Sequence, residues 1–291
     1  MESDRGHPAR FTSAGVVAAT AAAMVAFAAN SVLCRLALGH ATIDAASFTT
    51  VRLVSGALTL LALASTLHRG REIAPRGGWP AAGALFGYAI AFSFAYLSLS
   101  AGTGALILFG AVQLTMILAA LRAGERPGAL QWLGFACAVA GLVYLVAPGV
   151  TAPSPLGALL MAFAGACWGV YSLLGRGSAN PMLDTTANFL RAAPLAVVAS
   201  AIAFAHMHVS STGLLLAIAS GALSSGLGYV IWYAALRGLT ATRAAIVQLV
   251  VPLLAALGGV VFLGEEFTAR LAIAGVLILG GVALAIAARR T

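Results

Sequence analysis

The sequence contains no lysine, and only eight of its 291 residues are acidic: Glu2, Asp4, Asp44, Glu72, Glu125, Asp184, Glu265 and Glu266. Charged residues make up 8% of the chain, against about 25% in an ordinary water-exposed domain, which excludes a conventional soluble fold. Cysteine is scarce too. Cys34, Cys137 and Cys167 lie in apolar sequence without CxxC or Cys/His spacing, so neither a disulfide framework nor a structural zinc site is supported. The sixteen basic residues are all arginine and give a net charge of +8. They form no long basic run, so a nucleic-acid surface is excluded, and their position in short gaps between apolar stretches marks them as topology signals. What is abundant is hydrophobic side chain, 61% of the residues, with a mean hydropathy of +1.00. This is the composition of a membrane protein.

A helix crosses a hydrocarbon core of about 30 Å with about 20 residues. Apolar stretches of that kind, broken by Gly, Pro and Arg, predict ten spans near 12–34, 44–67, 79–99, 103–121, 128–147, 156–175, 183–205, 212–236, 241–263 and 268–288.

Internal repetition organises these spans. "AFAANSVLCR" at 26–35 aligns without gaps on "CWGVYSLLGR" at 167–176, pairing Phe27 with Trp168, Asn30 with Tyr171 and Arg35 with Arg176. Arg52 in "FTTVRL" matches Arg191 in "ANFLRA"; Phe92 and Tyr96 match Tyr229 and Tyr233; Glu125 matches Glu265. One five-helix unit is present twice, dividing the chain into 1–150 and 151–291. The repeat makes the first apolar segment the counterpart of the sixth, a retained helix rather than a cleaved leader. Five is odd, so the second copy enters the membrane from the opposite face, an inverted-topology repeat. With both termini in the cytoplasm, Arg5, Arg10, Arg69, Arg71, Arg76, Arg122, Arg126, Arg176, Arg237, Arg243, Arg289 and Arg290 fall inside and only Arg35 and Arg270 outside, as the positive-inside rule requires. Glu125 and Glu265 sit in the same turn of the two copies. There a carboxylate can stay at the interface and cap the following helix near its positive dipole end.

Two five-helix units, each with an Arg in its second helix and "GE" before a Gly-bearing fifth helix, resemble the EamA repeat of the drug/metabolite transporter superfamily over roughly residues 12–288. "LFGAVQLTM" at 108–116, with its surrounding aromatics, is most similar to the YddG-type bacterial exporters of amino acids. The resemblance implies a multi-pass protein of the bacterial inner membrane, in which helices 1, 3, 4, 6, 8 and 9 enclose a central cavity, helices 5 and 10 lie towards the periphery, and a small molecule leaves the cytoplasm by alternating access. The family's proline in the ninth helix is matched by Pro252, while the aligned position of the fourth helix is near Thr115, so any proline bend is one-sided.

Candidate site residues follow from polar and aromatic side chains inside the spans. Arg52 and Arg191 are the ionisable groups placed deep within them, where a charge needs water, a carbonyl or a counter-ion. One reading has one of the two attracting a substrate carboxylate, with Arg191 entering the candidate substrate-binding set; the other ties both to helix carbonyls or the interface. Aromatic faces occur at Tyr88, Phe92 and Tyr96, at Phe27 with Trp168 and Tyr171, and at Tyr229, Trp232 and Tyr233. They suit either packing or a pocket for apolar substrates. The amides Asn30, Gln113, Asn188 and Gln248 seek a partner helix or a cavity; Asn30, Gln113 and Gln248 join the candidate substrate-binding set. "GALFG" at 83–87 and "GACWG" at 165–169 read as close-packing pairs, as does "GALSSGLG" at 221–228, whose spacing is not that of a dinucleotide fold. "HMH" at 206–208 has no further ligands nearby, and neither a metal nor a cofactor is expected.

The expected function is therefore export of neutral amino acids or related metabolites by an all-α integral membrane protein of ten helices, with drug efflux by the same fold as the alternative. An integral-membrane enzyme needs a cluster of acid, base or nucleophile that the sequence lacks. No Asp, Glu or His is placed deep in a span, so coupling through a buried proton-carrying carboxylate is not expected. The partners implied are lipid and a small-molecule substrate.

Overall fold

Apolar runs bounded by good helix caps build nearly the whole structure. The computed structural model describes residues 13–67, 78–124, 126–149, 152–176, 178–236, 238–239, 244 and 247–288. Glu125 and most of the arginines used above to orient the chain (Arg5, Arg10, Arg69, Arg71, Arg76, Arg237, Arg243, Arg289, Arg290) lie outside these described residues.

The described helices are α1 (Ser13–Gly39), α2 (Ala45–Leu67), α3 (Trp79–Ala95), α4 (Ala101–Arg122), α5 (Ala129–Val146), α6 (Pro155–Leu174), α7 (Pro181–Ile202), α8 (Ser211–Leu236), α9 (Val250–Leu263) and α10 (Ala269–Ala288). Eight are long and apolar enough to cross a membrane, and α3 and α9 are shorter apolar helices. Among the described residues there is no strand, only an isolated antiparallel bridge between Ile43 and Val209.

The starts are set by side chains that accept orphan backbone N–H groups. Asp44 opens α2 by accepting from Ser47 N–H at 2.9 Å, Ser100 opens α4, and Ser210 opens α8. Ser154 and Asn180 open α6 and α7 just before a proline in the first turn, where its missing N–H costs nothing.

Several span boundaries differ from the sequence expectation, and two of them have a clear cause. Helix α1 continues past residue 34 to Gly39, because Arg35 finds partners at the α3–α4 and α9–α10 connections and need not end the apolar run. Helix α3 stops at Ala95 instead of 99. There Tyr96 turns inward and donates its hydroxyl to the Ala101 carbonyl at 3.2 Å, with Gly104 leaving room for the ring. Pro252 falls in the first turn of α9, where a proline is tolerated.

Hydrogen bonds join several of the odd-numbered connections. Ser210 N–H donates to Thr42 O at 2.9 Å and Asp44 N–H to His208 O at 2.8 Å, joining the α1–α2 and α7–α8 connections. Arg270, at the start of α10, donates to the Ala147 carbonyl after α5. His208 N–H also donates to Asp44 Oδ2 at 3.0 Å. Burial raises the Asp44 pKa, but hydrogen bonds from Ser47 and His208 outweigh it and hold the carboxyl below the usual carboxylate range. Because the folded value is the depressed one, this stabilisation is complete above the unfolded value of about 3.9 and is lost as pH falls through the folded value. At neutral pH, Asp44→Ala is expected to cost about 1 kcal/mol by loss of the cap, and Asp44→Asn less. Thermal unfolding in detergent checks this, and identical curves for Asp44→Ala and the intact protein would rule it out.

Packing sorts the helices into an inner and an outer set. Helix α6 packs on α3 and α4, α2 on α7 and α8, and α1 on α8 and α9. Helices α5 and α10 pack chiefly on each other, and α5 is largely exposed along its outer face, with Leu130, Trp132, Leu133, Val139 and Val143 uncovered. In a membrane protein such a face is lipid-covered.

Candidate functional site

At the centre of the inner set lies a cavity of about 40 Å³. That is well under the roughly 300–1,000 Å³ of an ordinary small-molecule pocket. Aromatic rings form most of the wall. Phe27 of α1 meets Tyr229 of α8 at 5.7 Å between ring centroids, Tyr229 stacks on Trp168 of α6 at 5.6 Å, Trp168 meets Tyr88 of α3 at 4.9 Å, and Tyr88 meets Phe92 at 5.3 Å. Leu108 and Phe109 of α4 complete the apolar lining. Both five-helix halves contribute.

The polar part of the wall is a connected set. Asn30 donates from Nδ2 to the Tyr88 hydroxyl at 3.3 Å and accepts at Oδ1 from Ser220 at 2.6 Å. Arg52 donates from Nη2 to the same Tyr88 oxygen at 2.9 Å and from Nε to Ser225 Oγ at 3.4 Å. Ser31, Ser224 and Gln248 also line the space. The Ser220–Leu227 segment of α8 is wound as a wider π-helix, a geometry often found at functional sites. It approaches α2 so closely that a Cβ on Gly221 would collide with the Arg52 carbonyl and the Ser55 side chain. Glycine at 221 is what lets Ser225 reach Arg52.

Of the residues singled out from sequence, Phe27, Asn30, Tyr88, Phe92, Trp168, Tyr229 and Gln248 are brought together around the cavity. Six are placed elsewhere. Tyr96 is fully buried at the α3–α4 corner, and Trp232 packs behind Phe27, 6.0 Å between rings. Tyr171 and Tyr233 share Thr185 as hydrogen-bond partner, at 3.4 and 2.8 Å. Gln113 is half-buried on α4. Arg191 donates to the Ala187 carbonyl of its own helix at 3.2 Å, the carbonyl-tied arrangement, whereas its repeat partner Arg52 is 2% exposed at the cavity wall.

Arg52, Ser31, Leu108, Phe109, Ser224 and Ser225 are the lining residues that sequence reasoning left out of the set. The paired serines of "GALSSGLG" were a usable signal, since two adjacent hydroxyls in an apolar span need partners. Of the close-packing glycines, Gly87, Gly165 and Gly169 meet Cys167, α4 backbone and Thr115 respectively, while Gly83 faces open space.

A polar lock joins the end of α1, the α3–α4 connection and the α9–α10 connection. Glu265 accepts from Arg35 Nε at 3.2 Å through Oε1 and from Ala101 N–H at 2.8 Å through Oε2. Arg35 also donates from Nη1 to the carbonyls of Tyr96 at 3.0 Å and Leu97 at 3.3 Å. Glu265 therefore caps α4, across the bundle, rather than the following helix α10, which Thr268 caps through Leu271 N–H. Sequence adjacency pointed to the wrong helix because the turn folds back: Glu265 N–H is held by the Gly259 carbonyl, and Gly264 takes the left-handed conformation that this requires.

Comparison with known proteins adds the following. Residues 14–147 and 155–287 each match the EamA-like transporter family. An uncharacterized protein of Pseudomonas aeruginosa is 52% identical over 270 residues, covering 93% of this chain and 94% of that protein. The threonine/homoserine exporter RhtA of Escherichia coli is 32% identical over 157 residues, 51% of either chain. A solved crystal structure superposes with a TM-score of 0.62 at 23% identity, over 93% of this chain and 97% of that one, a likeness of fold.

Proposed function

The chain belongs to the EamA-like transporter family of the drug/metabolite transporter superfamily, a multi-pass membrane protein with two copies of the repeat, and from that premise we propose that it exports amino acids by alternating access through the central cavity. The observation that carries this reading is a cavity walled by rings from both halves, with a polar side provided by Arg52, Asn30 and the serines. The partial likeness to a threonine/homoserine exporter supports amino acids over the drugs of the alternative reading.

The two copies, 1–150 and 151–291, are read as inverted repeats forming a ten-helix bundle in the bacterial inner membrane, with both termini cytoplasmic. The placement of Arg35, late in α1, beside Leu97, and of Gly157, early in α6, beside Ser98 and Leu99, supports this. The end of α1 and the start of α6 share one end of the bundle, so equivalent helices run oppositely. The lock of Arg35 and Glu265 then closes the outer side. Loading requires the cavity to widen, and two pseudo-symmetric halves rocking about the ring cluster provide that motion. Asp44, Asp184, Glu265 and Glu266, the acids among the described residues, lie at helix ends or in connections. The transport cycle proposed here uses none of them as a proton carrier within the bundle.

Flux of labelled threonine and phenylalanine from proteoliposomes tests the reading. Trp168→Ala removes the ring shared by Tyr88 and Tyr229 and is expected to lower flux at least tenfold, while Trp132→Ala, on the lipid-exposed face of α5, leaves it unchanged. Absence of amino-acid flux in the intact protein, with a lipophilic dye carried instead, would replace export of amino acids by drug efflux.

A further inference from the structure

Arg52 is the largest fully buried side chain in the described structure, and it has no anionic partner. The described residues contain one ion pair, between Arg35 and Glu265, and the acids among them, Asp44, Asp184, Glu265 and Glu266, lie at helix ends or in connections. The guanidinium lies over two neighbouring rings of α3, its carbon 5.1 Å from the centre of Tyr88 and 5.0 Å from that of Phe92. Two of its nitrogens are used on neutral hydroxyls, Tyr88 and Ser225. The third, Nη1, is buried and has no hydrogen-bond partner. Buried charges in proteins are normally paired, and buried N–H donors are normally satisfied. Arg52 breaks both rules at the wall of the cavity.

A purely structural arginine has a better solution available, and the repeat supplies it. Arg191, at the equivalent place in the second copy, binds its own helix carbonyl and stays half-exposed. Arg52 is instead turned inward and held there by the two ring contacts and by the Tyr88 hydroxyl, which also accepts from Asn30. The fixed fork of guanidinium N–H groups matches a carboxylate.

We infer that Arg52 receives the carboxylate of the transported solute, so that the substrate class is monocarboxylates, including zwitterionic amino acids, and not amines that lack the carboxyl group. This rests on the transport reading above. One cation in a ring-lined space accommodates one carboxylate. The remainder of the solute then faces Phe27, Trp168 and Tyr229, with Ser31, Ser224 and Gln248 at hand for an α-substituent. The other rings of the wall, Phe27, Trp168 and Tyr229, also offer their negative faces to a substrate ammonium. The ammonium adds to binding without being sufficient for it.

The test compares acid and amine pairs on the full-length protein in proteoliposomes. Labelled threonine is set against 1-amino-2-propanol, and phenylalanine against phenethylamine, with stabilisation against heat in detergent as a second readout. The intact protein is expected to move each acid at least about tenfold faster than its amine, the factor set by one charge-assisted hydrogen bond. It is also expected to be heat-stabilised by the acid alone. In Arg52→Gln the acid preference is expected to collapse to near unity, and in Arg52→Lys, which keeps the charge without the fork, to survive in part. Equal flux of acid and amine through the intact protein overturns the assignment and leaves transport standing, a result that does not depend on any variant folding. Retention of the full acid preference by Arg52→Gln also overturns it. Flux of none of the four compounds removes the transport reading and this assignment together.

Discussion

Replacing Glu265 by alanine is expected to open the locked end of the bundle. The carboxylate holds α1 through Arg35 and α4 through the Ala101 N–H, so its loss leaves one half-buried cation without its counter-ion and one helix-start donor unpaired. Breaking a buried pair costs about 3–5 kcal/mol. Side-chain exposures of 25% for Arg35 and 15% for Glu265 reduce that, and about 2 kcal/mol remains for the pair and cap together. If the lock forms in one conformation of the transport cycle only, that energy shifts the balance between conformations roughly 30-fold. The measurement is reaction of Ser31→Cys, at the cavity wall, with a membrane-impermeant thiol reagent added on the side of the α9–α10 connection. The background has Cys34, Cys137 and Cys167 replaced. Labelling is expected to speed up at least tenfold with Glu265→Ala and less with Glu265→Gln, which keeps an acceptor for Ala101 N–H. Unchanged labelling would show that the Arg35–Glu265 contact closes nothing.

The second large effect concerns stability. Gly281 of α10 and Gly134 of α5 approach so closely that a Cβ on Gly281 would sit 2.5 Å from the Gly134 carbonyl oxygen and 2.7 Å from the Ala138 nitrogen. Both are backbone atoms that no rotamer change can move aside. Gly281→Val is therefore expected to force the two helices apart at a cost of about 3 kcal/mol or more, lowering the melting temperature in detergent by roughly 5–10 °C. Gly280→Val, one residue earlier with nothing within 4 Å, is expected to leave it within about 2 °C. Similar melting of the two variants would contradict the close approach of α5 and α10. Backbone contact is a main source of helix association in lipid, where burying an apolar side chain gains nothing over leaving it in the bilayer.

Helix existence was legible in the sequence because composition and length alone distinguish a lipid-facing run, and caps such as Ser100, Ser154 and Asn180 mark where each run begins. Boundaries were less legible where a side chain found a distant partner. Arg35 read as the end of a span, yet α1 carries it onward to the Tyr96 and Leu97 carbonyls. Seven of the candidate site residues converge because aromatic and amide side chains on inward faces share one centre. Tyr96, Tyr171, Trp232 and Tyr233 belong to the same stripes but point one helical step away, into corners and interhelical hydrogen bonds, and periodicity cannot resolve that step.

The sequence by itself determined a membrane bundle built from a duplicated five-helix unit, since hydropathy and repetition are properties of order along the chain. The tertiary structure decided which of two equivalent arginines faces inward. Arg52 and Arg191 occupy matching positions, and their fates diverge through neighbours brought from elsewhere: Tyr88 of α3 and the π-wound serines of α8, admitted by Gly221, surround one, while the other is left to its own helix carbonyl. It likewise decided that Glu265 caps α4. A carboxylate pairs with the donors that packing delivers to it, and those lie 230 and 164 residues away along the chain.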